Sequence, residues 1–134
     1  MNKSTKKGHC TKIRYGNKTM NYYQIGEHMF DFLIKTNSKS LHVNDMDSLL
    51  GKIELIDIRE PYEYQSGTLR TTKNIPMGTL LTNPEKYLIK GKEYYIMCHS
   101  GARSRSTCKR LEKLGYDVVN VQGGMSSYLG TKRK

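Results

Sequence analysis

The stretch from Tyr94 to Ser104 constrains the fold more than any other. A short apolar run, Tyr94-Tyr95-Ile96-Met97, leads directly into Cys98-His99-Ser100-Gly101-Ala102-Arg103-Ser104. Beyond it, Thr107, Cys108, Leu111 and Leu114 fall on one stripe at helical spacing. The pattern is a strand that ends on a cysteine, a loop of small residues, then a helix. Only the anion of cysteine is a strong nucleophile, and a free thiol is mostly protonated at neutral pH. Loop N–H groups, the positive end of a helix dipole and the Arg103 guanidinium all stabilise such an anion. Gly101 lets the backbone turn where a Cβ would obstruct it. The arrangement points to Cys98 as a catalytic nucleophile rather than a packed small residue.

The same alternation runs along the chain from residue 39 to residue 130. Ser40–Val43, Ile53–Arg59, Glu93–Met97 and Val118–Val121 read as strands, and Asn74-Ile75-Pro76 as a brief extended piece. Asn44 or Asp45 is placed to cap a short helix carrying Met46, Leu49 and Leu50 and stopped by Gly51. Pro61 suits a helix start that Gly67 would end, and Pro84 divides residues 77–89 into two pieces. Ser104–Leu114 reads as a helix with Gly115 after its cap, and Gly123-Gly124 turns the chain into a last helical turn from Met125. This predicts an α/β domain, a central and mainly parallel sheet flanked by helices. Ligands in such sheets bind beyond the carboxyl ends of the strands, where Cys98 sits.

Charge narrows the choice of partner. Of the net +11, +5 lies in residues 1–28, where six Lys or Arg face the single acid Glu27. That leader lacks apolar periodicity and is expected to be disordered. Gly26 and Glu27 are compatible with a purine-rich ribosome-binding stretch just before Met29, so translation is expected to start naturally at Met29. Residues 29–38 read as a connecting arm and 131–134 as a basic tail. Arg103, Arg105, Lys109, Arg110 and Lys113 cluster after Cys98; a basic field there would suit a small anion rather than nucleic acid, although Lys109, Arg110 and Lys113 read first as a solvated helix face. Three cysteines without a CxxC pair suggest neither a disulfide framework nor zinc, and His9, His28 and His42 have no ligand spacing, so no metal is expected. A cytoplasmic setting suits a free thiol, and no run approaches the roughly 20 apolar residues of a membrane span.

Three motifs, in order, carry a resemblance. Leu55-Ile56-Asp57-Ile58-Arg59-Glu60-Pro61-Tyr62-Glu63-Tyr64, with Gly67 and Asn74-Ile75-Pro76, resembles the first signature of the single-domain rhodaneses. Cys98–Ser104 resembles their active-site loop, and Gly123-Gly124-Met125 their closing motif. Three departures stand out: Gly67-Thr68-Leu69 in place of Gly-His-Ile, Arg70-Thr71-Thr72 in place of Pro-Gly-Ala, and Tyr128 where an aromatic, usually Trp, closes the last motif.

The resemblance implies a rhodanese-like three-layer domain over about residues 39–130 and a sulfurtransferase. A sulfane donor such as thiosulfate would load sulfur onto Cys98 as a persulfide. A thiol or protein acceptor, or cyanide in an assay, would then remove it, with no other cofactor. N–H groups from His99 to Arg103 would stabilise the persulfide. Arg103 either binds the anionic donor or pairs with an acid and braces the loop, with Asp57 the first candidate brace and Glu63 the second. His99 is expected to face solvent and tune the substrate, with Ser100, Gly101, Ala102 and Ser104 completing the loop. Cys108 is expected to pack rather than to resolve a disulfide. Phosphatases on this fold place five residues between Cys and Arg, whereas here four intervene. A phosphatase or arsenate reductase is therefore the alternative enzyme, and a non-catalytic binding module the alternative outside enzymes. Mass spectrometry of the native protein tests the expected start: no peptide from residues 12–28 should appear, and finding one excludes it.

Overall fold

The computed structural model describes residues 12–15, 18–21 and 38–134. The chain divides into one unit ending at Asn37 and a second from Ser38 to Lys134. In the first unit, β1 (Lys12–Tyr15) and β2 (Lys18–Asn21) pair antiparallel, with Lys12 opposite Asn21 and Tyr15 opposite Lys18. This corrects the expectation of a wholly disordered leader. Ile13 and Tyr15 alternate with Lys12 and Arg14, a period-two strand signal that the basic composition hides. The expected arm at 29–38 lies outside the described residues apart from Ser38.

The second unit holds β3 (Lys39–His42), β4 (Glu54–Asp57), β5 (Lys73–Asn74), β6 (Glu93–Met97) and β7 (Asp117–Gln122). They form one five-stranded sheet in the order β3-β7-β6-β4-β5, every pair parallel. Three α-helices accompany it: α1 (Pro61–Gln65), α2 (Met77–Thr82) and α3 (Ala102–Lys113). Alternation along β6 builds both sides of the sheet. Tyr94 and Ile96, and Cys98 just beyond the strand, join Leu80 of α2 and Leu111 of α3 on one face. Met97 joins Val43, Met46, Met125 and Tyr128 on the other. These are the three layers expected, with β6 at the centre and covered on both faces.

Parallel strands bring their amino ends together, so like charges meet there. Glu93 of β6 pairs in register with Asp117 of β7. Lys39, from the start of β3, spans the two carboxylates at 2.5 Å each. Its ammonium is held above the ordinary range, first by Asp117 and then by Glu93.

Helix α3 ends as its sequence implies. Leu114 caps it, Gly115 takes φ +93°, the Gly115 N–H donates to Glu112 O at 3.0 Å and the Tyr116 N–H to Leu111 O at 3.0 Å. This reciprocal pair satisfies the last carbonyls and needs the left-handed residue that glycine supplies. The helix expected from Asn44 is instead a single 3-10 turn, Val43–Asp45, capped by His42 Nδ1 accepting from the Asn44 N–H at 3.2 Å. Asn44 makes tertiary bonds: its Nδ2 donates to Ser127 O at 3.0 Å and its Oδ1 accepts from the Leu129 N–H at 2.8 Å. Side chains of this kind compete with helical backbone bonding.

The basic tail at 131–134 pairs its backbone with the segment after α1. Leu69 and Arg133 form an antiparallel bridge, and the Thr68 and Lys134 backbones exchange bonds at 3.3 and 2.9 Å. Leu111 is fully buried in the α3-side cluster. Leu111→Ala should destabilise the domain by about 2–5 kcal/mol, measured by urea unfolding.

Candidate active site

The site grows from the carboxyl end of β6. Met97 closes the strand and Cys98 begins a loop that reverses within three residues. Gly101 takes φ +101°, and a Cβ there would lie 3.1 Å from Gly123 N. The turn aims two amides at one atom. The Gly101 N–H donates to Cys98 Sγ at 3.1 Å and the Ser104 N–H donates to it at 3.3 Å. Donors converging on sulfur at the amino end of a helix favour negative charge there. The expected donors ran from His99 to Arg103. Ser104, in the first turn of α3, supplies the second, because Cys98 lies beneath the helix start.

Sulfur also touches a hydroxyl. Cys98 Sγ lies 3.4 Å from Ser104 Oγ, and Ser104 Oγ contacts Asn120 Oδ1 at 2.5 Å and Gly101 O at 3.1 Å. Residue 98 is only 1 % exposed, so a donor must reach a recessed sulfur. His99, Ser100 and Ala102 are exposed around it, while Gly101 and Ser104 are buried.

The turn after β7 supports the back of the loop. The Met125 N–H donates to Cys98 O at 3.0 Å and the Ser126 N–H to His99 O at 2.8 Å. Gly124, at φ +59°, passes so close that a Cβ would sit 2.4 Å from His99 O and 2.5 Å from Cys98 O. Only glycine fits this approach.

Arg103 has an acid partner, and it is Glu63. Its two terminal nitrogens donate to Glu63 Oε1 and Oε2 at 3.0 Å each, a bidentate fork. Glu63 Oε1 also accepts from the Glu60 N–H at 2.9 Å, tying the fork to the start of α1. Asp57, the first candidate brace, is engaged elsewhere. It is fully buried and grips Arg59, whose Nε donates to Oδ1 at 3.0 Å and whose NH2 donates to Oδ2 at 2.8 Å. Thr68 Oγ1 donates to Asp57 Oδ2 at 3.0 Å, which gives the departure from histidine at that position a structural role. Tyr128 likewise uses its hydroxyl, donating to Asp47 Oδ1 at 2.7 Å.

Arg59, Thr68 and Asn120 are the polar residues near the site that sequence reasoning missed. Asn120 had a signal: it interrupts Val118-Val119-Asn120-Val121, an otherwise apolar strand. Cys108 is packed between α3 and the sheet, and burial pushes its thiol well above the ordinary range. Among the described residues no group of His, Cys, Asp and Glu is arranged to hold a metal ion. Among them, too, no helix is long and apolar enough to cross a membrane.

Fold and site together define an α/β domain that presents an amide-cradled cysteine at the carboxyl edge of a parallel sheet. Residues 42–131 match the family profile of the rhodanese-like domain, and the chain belongs to that family. "Putative sulfurtransferase YtwF" of Bacillus subtilis is 43 % identical over 86 residues, 62 % of this chain and 81 % of that protein. A "tRNA uridine(34) hydroxylase" of Rickettsia canadensis is 31 % identical over 93 residues, 63 % of this chain but 37 % of that protein. The crystal structure of a rhodanese-like domain protein from Staphylococcus aureus superposes with a TM-score of 0.64 at 31 % identity, covering 72 % of this chain and 96 % of that one.

Arg103 holds the Glu63 carboxyl at about 2, against an ordinary 4.5, and the Glu60 N–H acts in the same direction while burial opposes both. A lowered folded value means the fork stabilises the domain fully above about pH 4.5 and loses that contribution as pH falls toward 2. Arg103 is partly exposed, so Glu63→Gln should cost about 1 kcal/mol at pH 7. That is roughly 5 °C in melting temperature for a domain of this size. Thermal melts across pH should show the wild-type advantage shrinking between pH 4.5 and 2.

Proposed function

We propose that the protein is a sulfurtransferase that carries sulfane sulfur as a persulfide on Cys98. The observation that supports this best is the pair of amides at 3.1 and 3.3 Å from Sγ. Cys98 attacks the outer sulfur of a thiosulfate-type donor, the S–S bond to sulfite breaks, and sulfite leaves with its electron pair. A thiol acceptor then attacks the outer sulfur of the persulfide and Cys98 departs as thiolate. Two half-reactions through one covalent intermediate give ping-pong kinetics. The likeness to YtwF over 81 % of its length supports the same reading.

The alternative chemistry, phosphoryl transfer, is disfavoured on two grounds. Four residues rather than five separate Cys98 from Arg103. One N–H of each terminal nitrogen of Arg103 is committed to Glu63, so a phosphate would have to share the guanidinium with a carboxylate. Arg103 thus acts as the brace of the loop. The exposed His99 and Ser100 contact the donor, and the basic side of α3 raises its local concentration. The acceptor is a small thiol or a protein thiol in a reducing cytoplasm.

Incubation with thiosulfate followed by intact-protein mass spectrometry tests the reading. The wild type should gain one sulfur, releasable by cyanide, and Cys98→Ala should gain none. An unchanged mass together with hydrolysis of a phosphate ester would overturn it.

A further inference from the structure

The hydroxyl of Ser104 has one proton and three neighbours that could accept it. Asn120 Oδ1 lies at 2.5 Å, Gly101 O at 3.1 Å and Cys98 Sγ at 3.4 Å. The closest acceptor is Asn120, so with a protonated sulfur the donations run outward: Cys98 S–H to Ser104 Oγ, and Ser104 O–H to Asn120 Oδ1. An ionised sulfur has no hydrogen to give and needs one pointed at it. Ser104 then turns its O–H toward Sγ, and Asn120 Oδ1 would face Ser104 Oγ with no hydrogen between them. Asparagine has a remedy that a carboxylate lacks. Its amide carries a donor and an acceptor on one carbon, and a half-turn about its last torsion exchanges them. Nδ2–H can then donate to Ser104 Oγ while Ser104 donates to sulfur. The thiol proton itself leaves to solvent, since the amide only reorients.

We infer that Asn120 is a positioning residue that acts on Cys98 through Ser104, by reversing the direction of this hydrogen-bond chain whenever charge appears on Sγ. The three atoms are carried by three different elements. Cys98 follows β6, Ser104 sits in the first turn of α3, and Asn120 lies in β7, paired in register with Ile96 of β6. Ser104 is fully buried and Asn120 is 6 % exposed, so little water competes for these groups.

The inference rests on the proposed persulfide cycle for its purpose. In the persulfide, charge sits on the outer sulfur and Sγ is a neutral bridging atom with no hydrogen of its own, so the Ser104 O–H stays on Asn120 Oδ1. When the acceptor strips the outer sulfur, Sγ leaves as an anion and the chain reverses. Stabilising an anion weakens it as an attacking group but improves it as a leaving group. The Ser104–Asn120 pair therefore favours discharge of the persulfide more than its formation.

The test reads Cys98 directly and does not need sulfur transfer. Alkylation of the Cys98 peptide by iodoacetamide is followed against pH by mass spectrometry in the wild type, Asn120→Asp, Ser104→Ala and the double variant. Asn120→Asp fixes an acceptor opposite Ser104 and should move the alkylation midpoint up by about one pH unit, roughly a tenfold loss of thiolate below it. In the Ser104→Ala background the same substitution should add no further shift. An unchanged midpoint in Asn120→Asp overturns the inference. So does an equal shift in both backgrounds, since charge would then act on sulfur without Ser104. Should Asn120→Asp fail to fold, the wild type and Cys98→Ser carry the test. The side-chain amide resonances of Asn120 should titrate with the alkylation midpoint and stop doing so in Cys98→Ser, and resonances that ignore the midpoint overturn the inference. Loss of sulfur loading in the wild type would instead count against the proposed function and leave the alkylation result standing.

Discussion

Two backbone N–H groups must point at one sulfur, and the carboxyl edge of the sheet is built to make them do so. The loop from Cys98 to Gly101 can present its amides inward only by sending its carbonyls outward. Buried carbonyls need donors. Met125 and Ser126 supply them to Cys98 O and His99 O, and Gly124 makes the approach sterically possible. The closing turn and the cysteine loop are thus one object assembled from two distant stretches of chain. Asn44 and the Tyr128–Asp47 bond fix that turn in its own place.

Two arginine–carboxylate forks divide the electrostatic work. Asp57 and Arg59 are enclosed, and every oxygen of the Asp57 carboxylate has a donor. Such a pair adds little net stability over an apolar equivalent, but removing one partner strands a buried charge. It organises the start of the segment that leads into α1 and, through the Arg59 NH2 bond to Gly67 O at 2.7 Å, the segment that leaves it. Glu63 and Arg103 sit nearer solvent and join α1 to the first turn of α3. That link sets where the loop stands relative to the rest of the edge. It also obliges any anion at Arg103 to share the guanidinium with Glu63, which bears on which chemistry the cradle suits.

Much of this was legible in the chain itself. Strand β6, α3 with its Gly115 stop, the Pro84 break and the Gly123-Gly124 turn follow from local rules. Periodicity, capping and the φ preferences of Gly and Pro act over a few residues. The loop was readable for the same reason: Cys98, Gly101 and Arg103 are neighbours in sequence and their types state their use. The leader hairpin and the Asn44 turn were not readable, the first because charge hid a short alternation, the second because Asn44 bonds to residues more than eighty positions away.

Sequence alone determined that a parallel α/β domain would carry a cysteine at the end of its central strand, because strand, loop and helix are each encoded within a dozen residues. Which acid holds Arg103 and that Asn120 stands behind Ser104 were settled only by tertiary structure. Those contacts join elements far apart in the chain. A carboxylate at position 57 and one at position 63 look alike until the folded backbone sets their distance and direction from the guanidinium.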